Sequence, residues 1–297
     1  MLPELAGLPD MPAADRKHVA SGSGGESLVA IRAGGSKPPV FCLHAQAGHL
    51  RLYHNLAQHV DQDRPLFGLR GVLSDESPSQ PYCRFEDMAR RYVREVREFQ
   101  PKGPYLLLGE CDGAELAYEM AQQLRGLGEN VSMLALVESF GPGGPRRRWF
   151  APKMAYRLID TMRMVGFHLR TLSRLDGRAG WDYVTVRLAR LLDRIATAIF
   201  GSRGMQSTEP FRRRGFREAL DAYLPAPYPG RVVLFRATKL PWGIESTRHL
   251  GWGSLVADLK VVELPCYFGT GLLEPTVGLL AQELDRALDG SAARPST

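Results

Sequence analysis

Residues 104–121 read PYLLLGECDGAELAYEMA. The opening PYLLL is an apolar run of the length expected for a strand buried on both faces. The spacing beyond it predicts a helix from about Ala114 to Leu127. Between the two lies GECDG, with Gly109 and Gly113 on either side of Cys111. Small residues at those places let a strand turn sharply into a helix and let the helix lie close on the strand. The outline is Gly-x-nucleophile-x-Gly, with a thiol at its centre. Free N–H groups at the helix start favour a thiolate, or an oxyanion forming beside it. Glu110 and Asp112 act the other way, because negative neighbours raise a thiol pKa. An ordinary buried cysteine in a strand–turn–helix has the same short pattern, so the motif alone leaves both readings open.

Working outward, strands are predicted at SLVAIRAGG (27–35), PPVFCLH (38–44), RPLFGLRG (64–71), VSMLALVES (131–139), RVVLFRA (231–237) and LKVVELP (259–265). AQAGHLRLYHNLAQHV (45–60) begins with small residues and becomes helical. CRFEDMARRYVREVREFQ (83–100) repeats Phe85, Met88, Ala89, Tyr92, Val93 and Val96 at helical spacing, with charge on the other face. EPTVGLLAQELDRAL (274–288) predicts a terminal amphipathic helix. Strands alternating with helices imply an α/β protein whose mostly parallel sheet is covered on both faces. Residues 1–26 end in a Ser/Gly-rich run and read as a flexible leader. Residues 27–144 and 216–297 form the expected core. Residues 145–215, Arg-rich with helical segments and no clear strand, read as a lid inserted after a core strand.

Composition narrows the classes. The 297 residues are 44% apolar and 24% charged, ordinary for a globular protein. No apolar run is long enough to span a membrane, and the N-terminus lacks the basic-then-apolar order of a signal peptide. The four cysteines, Cys42, Cys83, Cys111 and Cys266, lack metal-ligand spacing, which implies no metal, reduced thiols and a cytoplasmic setting. Residues 144–214 hold 16 Lys and Arg against 5 Asp and Glu, whereas the whole chain carries +6, so the remainder is net acidic. One basic segment on an acidic body points to an acidic partner. No nucleic-acid motif accompanies the charge.

Several ordered segments resemble one family. They are PPVFCLHAQAGHLRLYHNLA, FEDMARRYVREVREFQPKGPYLLLGE running into GECDG, LALVES, AYLPAPYPGRVVLFRAT, LGWGSL and LLEP. From about Ser27 to its end the chain resembles the type I thioesterases of nonribosomal peptide and polyketide synthases. The resemblance implies an α/β-hydrolase fold with a helical lid. It places the nucleophile, normally serine, on Cys111 and the acid, normally aspartate, on Glu138. The oxyanion donors fall on the Asp112 N–H and on the loop at Ala45 or Gln46. The family's Pro-Gly-Asp-His aligns with Pro265, Cys266, Tyr267 and Phe268, so the base position holds Phe268, and no histidine follows His249.

Histidine is what deprotonates the attacking water in deacylation. Its loss, with serine changed to cysteine, suits acceptance of an acyl group without activation of water. The expected activity is acyl transfer, release or cyclisation of carrier-bound thioesters through Cys111. The alternatives are acid–base chemistry by Glu138, Asp112 or His44 without an acyl-enzyme, and a degenerate protein that only binds the carrier. His44, directly after a core strand, is a candidate base, oxyanion donor or packed loop residue, and His168 is assigned a structural role in the lid. His54 and His59 are expected on the surface or at a cap. No cofactor is implied beyond a substrate presented on a phosphopantetheine arm. The implied partner is an acyl or peptidyl carrier protein acting in trans, met by Arg146, Arg147 and Arg148.

Overall fold

The computed structural model describes residues 27–44, 50–71, 84–141, 146–147, 153–173, 177, 184 and 209–292. The expected leader and most of the segment joining the helices of the expected lid lie outside these residues.

Seven strands form one sheet: β1 (Leu28–Arg32), β2 (Val40–Leu43), β3 (Leu66–Leu69), β4 (Tyr105–Glu110), β5 (Val131–Val137), β7 (Tyr228–Lys239) and β9 (Val256–Tyr267). Their order is β1-β3-β2-β4-β5-β7-β9. The β1–β3 pair is antiparallel and every other pair is parallel. All six expected core strands and the PYLLL strand are present, and β7 and β9 extend past the predicted ends. The segment expected to lack strands differs in one detail. Arg146–Arg147 form a short strand, β6, paired antiparallel with β8 (Ile244–Glu245). A pair this short is set by the partner segment rather than by its own sequence, so periodicity gives no sign of it.

The helices are α1 (Arg51–His59), α2 (Phe85–Phe99), α3 (Gly113–Gly126), α4 (Lys153–Leu172), α5 (Glu209–Asp221) and α6 (Thr276–Ala292). Alternate strand residues serve two cores, because successive side chains point to opposite faces. Phe41, Leu43, Leu107, Leu134 and Leu136 pack with α2, α3 and α5. Val40, Cys42, Leu106, Leu108, Met133, Ala135 and Val137 pack with α1 and α6. On α2 the six residues at helical spacing are all buried. Among the described residues no helix is long and apolar enough to cross a membrane.

The chain order reverses at β2. The connection from β2 leads to β3 on one side, and the next leads to β4 on the other. Such a switch opens a crevice at the carboxyl ends of the strands, where α/β sheets bind ligands. His44 follows β2 there, and Cys111 follows β4.

Candidate active site

The turn from β4 into α3 is tight for a measurable reason. A Cβ on Gly109 would lie 2.2 Å from the Gly113 carbonyl oxygen, and one on Gly113 would lie 2.7 Å from the carbonyl oxygens of both Leu43 and His44. Both glycines are therefore required by backbone contact. Cys111 between them has φ 53°, in the left-handed region that non-glycine residues rarely adopt. The Cys111 N–H donates to the Val137 carbonyl at 2.9 Å, and the Ala114 N–H donates to the Cys111 carbonyl at 3.1 Å. These bonds hold the cysteine at the apex.

Tyr53 adds a strap that the sequence reading missed. Its buried hydroxyl donates to the Leu43 carbonyl at 2.8 Å and accepts from the Glu110 N–H at 3.1 Å. It thereby ties the end of β2 to the end of β4. The sequence signal was its place on the apolar face of α1, which accounts for burial but not for the bridge.

The thiol is not poised as a thiolate. Burial pushes the Cys111 pKa up, and the carboxylates of Asp112 and Glu110 add to the effect, while the Asp112 amide opposes it. The acidic neighbours and the burial thus outweigh the help expected from the start of α3. Around the thiol stands a carboxylate cluster. Burial, with Glu138 and Asp112 nearby, raises Glu110 to about 7. Burial and Asp112 raise Glu115 to about 8. Glu115 is absent from the predicted site residues, although its position one turn along α3 from Cys111 marks it as a neighbour. The Cys111 thiol donates to Asp112 Oδ1 at 3.9 Å, and Arg217 Nη1 on α5 lies 4.0 Å from the same oxygen.

Glu138 follows β5 directly, on the strand beside the elbow. It also has a left-handed backbone, φ 48°, and its N–H donates to the Phe235 carbonyl at 2.8 Å. Its side chain is 1% exposed. The Gly271 N–H donates to Oε2 at 2.9 Å and the Cys266 thiol donates to Oε1 at 3.6 Å. Burial raises Glu138 to about 7 against the pull of these donors. The Cys266 thiol comes from the end of β9, and Phe268 begins the loop that supplies the Gly271 N–H. Its ring is half-buried against Phe140, with centroids 5.0 Å apart. Where the resemblance expects an imidazole facing the acid, there is an aromatic pair beside it. Phe167 of α4 reaches the preceding residue, Tyr267, at 6.2 Å between centroids.

His44 has its backbone against the elbow, through the contact of its carbonyl with Gly113. Its ring is buried, with Nε2 2.8 Å from the Tyr92 hydroxyl and its face against Phe216 of α5. The structure thus brings Cys111, Asp112 and Glu138 to the ends of the adjacent strands β4 and β5, joins the loop after β9 to Glu138 through Gly271, and turns the His44 Nε2 toward α2. His59 ends α1 on the surface, with Nε2 2.6 Å from Glu274 Oε1, and His54 is exposed. His168 lies on α4. Arg146 and Arg147 form β6, while Arg148, Ala45 and Gln46 lie outside the described residues. No cluster of metal-ligating side chains occurs among the described residues.

Residues 38–168 match the family model described as Thioesterase domain. The chain is 27% identical over 268 residues to a dimodular nonribosomal peptide synthase of Bacillus subtilis (strain 168), a match covering 89% of this chain and 11% of that protein. It is 36% identical over 123 residues to the indigoidine synthase of Dickeya dadantii (strain 3937), over 41% of this chain and 8% of that protein. Among solved structures, the NocB thioesterase domain in covalent complex with a fluorophosphonate nocardicin G analog superposes with a TM-score of 0.57 at 25% identity, covering 86% of this chain and 96% of that one. The thioesterase domain that cyclises surfactin, at a TM-score of 0.54 and 15% identity over 89% of this chain and 96% of that one, shares the fold. By this match, these relatives and these structures, the chain has the α/β-hydrolase fold, carries a thioesterase-domain match over residues 38–168, and is similar to the type I thioesterase domains of nonribosomal peptide synthetases.

Proposed function

We propose that this chain takes an acyl or peptidyl group from a carrier-bound thioester onto Cys111 and passes it to an amine or hydroxyl acceptor, or closes it into a ring, in natural-product biosynthesis. The observation that carries this reading is Phe268. It pairs with Phe140, and it occupies the sequence position on which the resemblance puts the histidine of a hydrolytic site. Attack by water needs a base that strips its proton. A thiol needs less help, since it is more acidic than water and intrinsically more nucleophilic. The covalent complex of the NocB domain supports a nucleophile at this kind of site. The basic segment 145–215, with Arg146, Arg147 and Arg148, is the proposed lid and the docking face for an acidic carrier protein acting in trans.

A second reading is favoured by the carboxylates. Glu110, Glu115 and Glu138, raised to about 7, 8 and 7, are suited to exchange protons near neutral pH without an acyl-enzyme. Intact-protein mass spectrometry after mixing with acyl-loaded carrier proteins separates the two. A mass gain equal to the acyl group, absent from Cys111→Ala, is the expected result. Product formation without an adduct, persisting in Cys111→Ala, would transfer the chemistry to the carboxylates.

A further inference from the structure

We propose that Asp112 is the base that receives the Cys111 proton during acyl transfer, with Arg217 as its counter-charge. The inference rests on Cys111 as the acyl acceptor. Asp112 stands at the N-cap of α3, yet its side chain makes no capping hydrogen bond. Its Oδ1 instead lies 3.9 Å from Cys111 Sγ and 4.0 Å from Arg217 Nη1. The other candidate groups have different engagements. Glu138 accepts from Gly271 and Cys266, Glu115 Oε2 lies 3.5 Å from the Ser139 hydroxyl, and His44 Nε2 meets Tyr92. Asp112 is the carboxylate in hydrogen-bond contact with the thiol.

The step balances. As Sγ bonds to the thioester carbonyl carbon, the S–H proton passes to Asp112 Oδ1. Collapse of the tetrahedral adduct breaks the bond to the carrier's sulfur, which leaves as a thiol by taking that proton back. One thioester replaces another and the carboxylate is regenerated. A carboxylate is a weaker base than imidazole, and the Cys111 thiol, though raised by burial, still gives up its proton more readily than water at about 15.7, so the carboxylate assists the thiol more than it assists water. The arrangement therefore favours thiol exchange over hydrolysis. Until substrate arrives, burial, with the negative charge of Asp112 added to it, holds the thiol pKa up.

That double role supplies the test. The octanoyl thioester of N-acetylcysteamine serves as acyl donor, read by intact mass, and iodoacetamide reports the free thiolate of Cys111. In Asp112→Asn, alkylation is expected to hold or quicken, because a negative neighbour is gone. Acylation is expected to slow by roughly 10²-fold, the lower range for loss of a general base. A slowing of both together would mean a misplaced thiol and would overturn the assignment, as would acylation at the original rate. Asp112→Ser, which also suits a helix N-cap, repeats the comparison should Asn disturb the fold. If the unsubstituted protein is alkylated at Cys111 but takes up no acyl group, the acyl-enzyme reading itself fails, a result distinct from any failure of Asp112.

Discussion

Cys111 and Glu138 are the two positions at which backbone strain and chemistry coincide. Each carries a left-handed φ at the end of a parallel strand, at a cost of roughly 1–3 kcal/mol. Each is held there by the last hydrogen bond to its neighbour strand, Cys111 to Val137 and Glu138 to Phe235. At Phe268, where the sequence resemblance expects a histidine, the site carries an aromatic ring. Phe268 stacks on Phe140, while the carboxylate of Glu138 takes its hydrogen bonds from Gly271 and Cys266. Phe268→His is expected to shorten the lifetime of the Cys111 acyl adduct in water by about 10²-fold, since it supplies the absent base. The adduct's decay, followed by intact mass, checks this. An unchanged lifetime would mean that the imidazole is not what limits attack by water. The absence of that histidine was legible directly, because no histidine follows His249. The donors that satisfy Glu138 in its stead were not, since they come from residues 128 and 133 positions away.

Among elements, the elbow depends on how β2, β4, α1 and α3 meet. Gly109 and Gly113 bring α3 into backbone contact with β4 and the end of β2, and Tyr53 fastens the same strand ends from α1. Tyr53→Phe keeps the ring and removes only the hydroxyl. It leaves the Leu43 carbonyl and the Glu110 N–H short of a partner, with an expected loss of roughly 1–3 kcal/mol. Urea denaturation should show a lower midpoint with an unchanged slope. A midpoint equal to that of the parent would remove the strap from the account. The strand–helix alternation and the buried face of α2 were readable from periodicity. The β6–β8 pair was not, because a two-residue strand has no period to read.

For the whole molecule, the buried carboxylates set the pH dependence of stability. Glu110, Glu115 and Glu138 hold their protons more tightly in the folded chain than carboxylates do in the unfolded one. Burial pushes Asp285 the same way. The folded state therefore binds more protons between the ordinary carboxylate range and about pH 7–8, and stability falls as pH rises through that window. Asp61, Asp63 and Glu86 are shifted down, so their contribution is lost only at lower pH and leaves the window unaffected. Thermal unfolding is expected to show a higher Tm near about pH 5.5 than near about pH 8, with a smaller difference in Glu138→Gln. A Tm that climbs between those values would contradict the burial of the cluster.

By itself, the sequence determined the α/β alternation, the glycine-framed cysteine at the strand-to-helix turn, the acid after the next strand and the lack of a histidine near the end. These are local patterns or facts of presence, and local backbone sterics and hydrophobic period are enough to express them. The tertiary structure decided the rest: the reversal of strand order at β2, the Tyr53 strap, the partners of Glu138 and the direction in which the Cys111 thiol is shifted. The last depended on a balance. The start of a helix and two adjacent carboxylates act on the thiol with opposite signs, and burial, which exists only once β2, β4, α1 and α3 have packed, sets the outcome.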